Sequence, residues 1–171
     1  KKFAELVFGN QHPYGYNFTL EDFDKLQRDD VTAFYHKFYT PGNCKILVAG
    51  KVDGSIIALL DQYFGHNWEE KKKAPAILDK NIQTNAKPQH LVFREDAIQS
   101  AIRMGRVLFN KRHADYMGMQ VLNTVLGGYF GSRLMANIRE DKGYTYGIGS
   151  AVVSLQHAGF FFISTEVGVD V

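Results

Sequence analysis

The spacing of apolar residues switches between helical and strand periodicity along this chain, and this switch constrains the fold more than any other feature. Apolar residues recur three and four apart between Val31 and Phe38 and between Met119 and Leu126, which predicts helices. Residues 144–155 and 160–167 alternate as strands do, with a turn between them. This mixture predicts a two-layer α+β fold, in which helices pack on one face of a mainly antiparallel sheet.

A polar segment divides the chain into two parts. Residues 69–88 contain three consecutive lysines, Lys71–Lys73, together with Pro75 and a final Pro88. This polar, proline-containing composition predicts an exposed linker. The predicted parts are residues 1–68 and 89–171, and each mixes helices with strands.

Several short segments have predictable caps or burial. Thr19 and Asp53 are predicted to begin helices. Lys45–Gly50 is predicted to be a buried strand, and Leu91–Arg94 and Ser100–Leu108 are predicted strands. The helix after Asp53 and the one spanning residues 31–38 are each predicted to bury an apolar face.

The sequence has a single cysteine, Cys44, so no internal disulfide can form. Cys44 is predicted to be a buried thiol.

Composition excludes several classes of protein. Of the 171 residues, 45% are hydrophobic and 22% charged, which favours a folded domain over a disordered chain. The net charge of +2 is too small to indicate a nucleic-acid partner. No run approaches the ~20 apolar residues of a membrane span. The chain begins without Met and stops within a predicted strand, so a fragment of a longer protein is expected. Composition leaves the cellular compartment open.

The histidines do not form a recognisable metal motif. The sequence has six of them, and no two stand three to five residues apart, so no helix presents two to one metal ion. A site built from distant histidines stays open, but we predict no metal ligands and no cofactor-binding residues in this chain. A phosphate-binding loop of the Walker type and a nucleophile elbow are both missing.

The segment from Arg139 to Tyr146 is the strongest candidate for chemistry. Arg139 closes a predicted helix, Gly143 reverses the chain, and Tyr144 and Tyr146 share one strand face. A guanidinium and a phenol folded together at this corner would both donate hydrogen bonds to a peptide carbonyl oxygen. In the other interpretation, Arg139 caps its helix and pairs with an acid, and the tyrosines pack on the sheet. The pattern alone favours this second interpretation. Gly147 and Gly149 leave the opposite face bare, which suits close approach of a helix or of another backbone.

Motifs along nearly the whole sequence resemble a known family. In chain order they are Phe8-Gly9, His12-Pro13-Tyr14-Gly15, Phe34-Tyr35, Tyr39-Thr40-Pro41-Gly42-Asn43, Val48-Ala49-Gly50, Leu122-Asn123, Leu126-Gly127-Gly128, Ser132-Arg133-Leu134, Ile138-Arg139-Glu140, Gly143 and Tyr146. Their order and spacing resemble the M16 zinc metallopeptidases, the insulinase, pitrilysin and processing-peptidase group. Residues 1–68 resemble the end of one family repeat and residues 89–171 the start of the next, so both repeats would be incomplete.

The resemblance implies a zinc-dependent metalloendopeptidase acting on peptides or unfolded polypeptides. In that family, two halves face each other as a clamshell, and zinc sits in an inverted His-x-x-Glu-His helix that this sequence lacks. Zinc would therefore belong to the intact protein or to a partner chain. The opposing half supplies an Arg and a Tyr that match Arg139 and Tyr146, which would bind the substrate carbonyl and stabilise the transition state.

The resemblance leaves more than one function open. The parent would be a zinc endopeptidase or its partner half, and this chain alone would be inactive and bind no stoichiometric zinc. The alternative is a non-catalytic assembly or binding subunit with no peptidase role. Retention of both Arg139 and Tyr146 favours the first. We also expect the isolated chain to self-associate, and we expect the predicted strand Phe160–Val167 to offer an edge to an extended peptide.

Overall fold

The structure is a computed structural model and describes residues 2–65, 68, 82 and 89–171. Its helices are α1 (Lys2–Phe8), α2 (Leu20–Lys25), α3 (Arg28–Phe38), α4 (Gly54–Phe64) and α5 (Tyr116–Asn123), with a 3₁₀ turn at Pro41–Asn43 and π-helical segments at Thr124–Gly128 and Met135–Asp141. Its strands are β1 (Gln99–Leu108), β2 (Ile148–Ser154) and β3 (Gly159–Gly168). In the part described, no helix is both long enough and apolar enough to cross a bilayer.

The chain forms two compact units. One comprises Lys1–Asn17 with Asp79–Val171, and the other comprises Phe18–Leu78. The predicted linker at 69–88 lies outside the described residues except for Ile82. The division into repeats at 1–68 and 89–171 concerns sequence repeats rather than packing, and it stays a prediction.

The first unit contains a three-stranded antiparallel sheet in the order β1–β3–β2. Gly105 on β1 pairs with Phe162 on β3, which pairs with Ala151 on β2. The predicted α+β class with a mainly antiparallel sheet is confirmed. β3 lies in the centre of this sheet, so the expectation that it offers an edge to a peptide is wrong. β2 begins at Ile148 rather than at Tyr144, because residues 144–147 form an irregular corner.

Helix α1 packs on one face of the sheet. The ring of Phe3 lies 6.4 Å from that of Phe160 and 6.2 Å from that of Phe162. Phe8 is only 2% exposed and meets the Phe160 ring edge-on at 5.7 Å. Val7, Phe8 and Ala158 form the centre of this core. Aromatic packing against β3 therefore holds the N-terminal helix to the sheet.

The opposite face of the sheet carries α5 and the π-helical segments, so helices lie on both faces of the sheet, whereas the prediction placed them on one. Ser150 and Val152 of β2 are buried on this side, and Met135 is buried on the π-helix above them. A side chain added at Gly127 would place its Cβ 2.5 Å from the Ser150 Oγ and 2.7 Å from the Ser150 nitrogen. Only glycine allows the helix backbone to approach β2 this closely.

The helix caps of the second unit are as predicted. Thr19 accepts a hydrogen bond from the Asp22 N–H, and the Asp22 carboxylate accepts one from the Thr19 N–H at 2.8 Å, which completes a capping box. Asp53 accepts hydrogen bonds from the N–H groups of Ser55 and Ile56 at the start of α4.

Burial in this unit differs from the prediction. No residue of α3 or α4 is buried, so the expected burial of their apolar faces is wrong. Residues 45–50 form no strand, and Leu47 is 90% exposed. Cys44 is exposed as well. Periodicity identifies an apolar face, but burial requires a second surface, and within the described residues none covers these faces.

The predicted strand at Leu91–Arg94, in the first unit, is not formed either. These residues have no regular structure, and Leu91 is 92% exposed. A short apolar run becomes a strand only when a neighbouring strand accepts its backbone hydrogen bonds.

Candidate functional site

The helix that carries Arg139 ends in a wide turn. The Lys142 N–H donates to the Asn137 carbonyl, five residues back, at 3.2 Å, which is the π-helical pattern. Gly143, at φ 66°, then donates to the Arg139 carbonyl at 3.1 Å. The predicted end of the helix at Gly143 is confirmed, since this left-handed conformation strains any residue with a Cβ. π-Helical turns recur at functional sites, and this one contains Arg139.

A threonine network fixes the corner that follows. The Thr145 hydroxyl donates to the Glu166 carbonyl on β3 at 2.5 Å and accepts from the Gly147 N–H at 3.1 Å. It also accepts from the Thr165 hydroxyl at 3.0 Å. Because Thr145 is tied to the sheet, the next side chain, Tyr146, is directed into solvent and is 91% exposed.

Met135 joins the helix and the corner. Its side chain is buried, and its sulfur accepts a hydrogen bond from the Ile148 N–H at 3.4 Å. Thioether sulfur is a weak acceptor, so packing supplies most of this connection. The helix bearing Arg139 and the strand that follows Tyr146 are thus fixed to each other.

The structure brings Arg139 and Tyr146 together. The Arg139 Cζ lies 5.2 Å from the centroid of the Tyr146 ring. Among the described residues, no carboxylate pairs with Arg139, and no acceptor takes a hydrogen bond from its guanidinium. The interpretation in which Arg139 pairs with an acid and Tyr146 packs on the sheet does not describe this geometry. The corner places an exposed phenol beside a half-buried guanidinium that has no hydrogen-bond partner among the described residues.

A third residue, Phe130, completes the cluster and was missed from the sequence. The Arg139 Cζ lies 4.4 Å from the centroid of its ring, closer than it lies to Tyr146. Phe130 is 64% exposed. The sequence signal is an aromatic residue within the glycine-rich turn Gly127–Gly131, and Tyr129 in the same turn carries that signal equally.

The two glycines predicted to admit a helix behave differently. An added Cβ at Gly149 would lie 3.4 Å from the Gly127 carbonyl oxygen, so the helix backbone does approach there. Nothing lies within 4 Å of the corresponding position at Gly147. The predicted close approach is confirmed at Gly149 alone.

The described residues do not fit a zinc site. Among residues 2–65, 68, 82 and 89–171, no group of three His, Cys, Asp or Glu side chains could hold a metal ion. His12 is buried, and its ring stacks on that of Phe8 with a centroid distance of 5.6 Å. The Nδ1 of His12 accepts a hydrogen bond from the Tyr14 N–H. The Nδ1 of His113 accepts the Asp115 N–H. Both of these rings are engaged in local structure.

Comparison with known proteins identifies the family. Residues 25–170 match the family described as the peptidase M16 inactive domain. The chain belongs to this family. The resemblance seen in the sequence is thereby confirmed.

Relatives and solved structures agree with this assignment. The chain is 30% identical over 169 residues to an uncharacterized zinc protease, YmxG, of Bacillus subtilis, which covers 98% of this chain and 40% of that protein. It is 24% identical over 154 residues to a probable inactive metalloprotease, YmfF, of the same organism, covering 89% of this chain and 35% of that protein. A crystal structure of a peptidase M16 inactive domain from Pseudomonas fluorescens superposes with a TM-score of 0.83 at 24% identity, covering 98% of this chain and 40% of that one.

The chain spans about two fifths of the length of these relatives. It is an M16-type domain, similar to a protein named as a zinc protease and to one named as a probable inactive metalloprotease. The activity of a whole protein that contains it is a matter for proposal.

Proposed function

We propose that this chain supplies a substrate-binding corner to an M16 zinc metalloendopeptidase whose metal is held outside the described residues. Arg139 and Tyr146 bind a carbonyl oxygen of a peptide or unfolded polypeptide and stabilise it as it gains negative charge. The observation that supports this most is that the Arg139 guanidinium lies beside the exposed Tyr146 phenol, while no described residue accepts a hydrogen bond from that guanidinium. The other half of the clamshell, in the same chain or in a partner subunit, provides the metal and the catalytic water.

The chemistry of the two groups suits this role. A guanidinium donates through a planar fork that matches the lone pairs of an oxygen acceptor. A phenol adds a single O–H donor. Donors fixed in advance where charge develops are worth more than donors that must reorganise, and each typically contributes about 3 kcal/mol.

A non-catalytic role is the second candidate. It is favoured by the family description and by the name of YmfF, both of which state inactivity. A scaffold subunit would use the same fold for assembly and would have no need of free donors at Arg139. Under either proposal, we expect the chain on its own to cleave nothing and to hold no stoichiometric zinc, and we expect it to self-associate through its exposed apolar surfaces.

Substitution in the full-length protein, with its partner if it has one, tests the proposal. Arg139→Ala and Tyr146→Phe should each lower kcat/KM for an unstructured peptide by about 100-fold, because each removes one donor to the transition state. The zinc content should not change. Arg133→Ala, an exposed arginine near the start of the same helix, and Tyr129→Phe are matched controls that should keep turnover within about twofold.

The outcomes separate the two candidates. Loss of turnover with intact zinc supports the peptidase role. Wild-type turnover in both variants would remove it. Absence of turnover in the wild-type assembly, combined with peptide affinity that Arg139→Ala leaves unchanged, would support the non-catalytic candidate.

A further inference from the structure

Phe130 sits at a fixed point between two packed elements. The Ser132 N–H donates to the Tyr129 carbonyl at 3.1 Å, which closes a tight turn with Phe130 and Gly131 at its centre. On the N-terminal side, the turn follows the π-helical segment that packs through Gly127 on Ser150. On the C-terminal side, Ser132 is fully buried, and its carbonyl oxygen accepts a hydrogen bond of 2.9 Å from the Ala136 N–H. The turn is therefore anchored at both ends, while the Phe130 ring stays exposed.

The contact between Phe130 and Arg139 has a consequence for the guanidinium donors. A cation within about 6 Å of a ring centroid is attracted to the face of that ring, and 4.4 Å is well inside this limit. A carboxylate would also hold Arg139, but it would occupy two donors and cancel the charge. An aromatic face attracts the cation without accepting its in-plane hydrogen bonds. Phe130 can thus fix the guanidinium and leave the whole fork for a substrate.

Phe130 and Tyr146 hold Arg139 in different ways. Tyr146 is itself a proposed donor to the substrate. Phe130 has no hydrogen-bonding group and lies nearer to the guanidinium carbon, so its contact with Arg139 is separate from the proposed hydrogen bonding.

We propose that Phe130 is a positioning residue for Arg139. Its ring holds the guanidinium in the orientation that binds the peptide carbonyl, without consuming a donor. The inference rests on the proposed role of Arg139 and adds a residue that acts through it. It requires an aromatic ring at position 130, rather than merely an apolar side chain of similar size.

The test uses Phe130→Leu, which keeps the bulk and removes the ring, and Phe130→Tyr, which keeps the ring. Each is made in the full-length protein, alone and together with Arg139→Ala. Cleavage of an unstructured peptide gives kcat and KM. The dissociation constant of the same peptide, measured with a metal chelator present, gives a second readout that needs no turnover.

Phe130→Leu should lower kcat/KM, or weaken peptide affinity if there is no turnover, by roughly 3- to 30-fold, the range expected for loss of one cation–π contact. Phe130→Tyr should stay within about twofold of wild type. In the Arg139→Ala background, Phe130→Leu should have no further effect, because the group that it positions is gone. Tyr129→Leu, on the same turn but outside the ring contact with Arg139, should match wild type.

The failures are distinguishable. If Arg139→Ala lowers kcat/KM or peptide affinity while Phe130→Leu equals wild type, the positioning role is refuted and the proposed function is supported. If Phe130→Leu lowers activity equally with and without Arg139, the ring acts independently of the guanidinium, and the inference is also wrong. If Phe130→Tyr is as impaired as Phe130→Leu with an unchanged Tm, the aromatic requirement is refuted. If Arg139→Ala itself equals wild type in both readouts, the proposed function fails first and the inference fails with it.

Discussion

The two compact units treat similar apolar patterns in opposite ways. In the first, Phe8 ends a helix, and its ring is enclosed by Phe160, Tyr14 and His12. In the second, Phe34 lies on an equally periodic helix, but its ring is 57% exposed and its ring contact is with Phe38 of the same helix. Sequence periodicity is alike in the two cases. The difference is that a sheet face covers one helix, and within the described residues no element covers the other.

The units agree in their local structure. The capping box at Thr19 and the cap at Asp53 form in the unit with exposed faces, and Gly143 ends its helix in the unit with the buried core. Caps and turns depend on residues within a few positions of each other, so they form whether or not a partner surface is present. The comparison separates local signals from burial, which requires a contact between distant parts of the chain.

The same substitution in each unit tests this contrast most strongly. Phe8→Ala should cost about 3–5 kcal/mol, because it empties a packed site beside the sheet. Phe34→Ala should cost about 1 kcal/mol, mainly through the lost contact with Phe38. Urea unfolding, together with amide hydrogen exchange in β3 and α3, measures the two effects separately. If Phe34→Ala is as costly as Phe8→Ala, a surface covers α3 in solution, and the contrast between the units disappears.

A pair of glycines in one continuous helical stretch gives a smaller test. Gly127→Ala should destabilise the first unit by about 1–3 kcal/mol, because the new Cβ would overlap Ser150 and the Leu134 side chain. Gly118→Ala should instead stabilise it by about 0.5–1 kcal/mol, because nothing lies within 4 Å and alanine favours a helix. Thermal unfolding of both variants is the measurement. Equal effects of the same sign would mean that helix propensity, rather than close approach to β2, governs Gly127.

The sequence predicts much of the candidate site because its signals are local. Arg139, Gly143 and Tyr146 lie within eight residues, so a helix end, a left-handed glycine and an alternating strand are enough to bring them together. The π-helical turn and the contact with Phe130 were beyond such reasoning. Phe130 lies on the turn before the helix that carries Arg139, so their contact depends on how that turn packs rather than on a local motif.

The errors in the fold have one physical origin. Residues 45–50 and Leu91–Arg94 have strand-like composition, but the described residues offer them no neighbouring strand, and they remain irregular and exposed. The central position of β3 in the sheet could not be predicted from the sequence either. Strand order depends on the pairing of β3 with β1, which lies more than fifty residues earlier along the chain. Composition gives a segment its preference for a structure, and pairing decides whether that structure forms.

The smallest predicted effect is a pH dependence confined to the start of α4. Hydrogen bonds from the Ser55 hydroxyl at 2.6 Å, and from the N–H groups of Ser55 and Ile56, lower the pKa of Asp53 below its ordinary value. Since the folded pKa lies below the unfolded one, the stabilisation is complete above the ordinary carboxyl pKa and is lost as the pH falls through the lowered value. Asp53→Asn keeps a cap that does not titrate. Below about pH 4, the amide groups of α4 should therefore lose more protection from hydrogen exchange in the wild type than in this variant. Parallel loss of protection in both proteins would show that the cap contributes nothing that depends on charge.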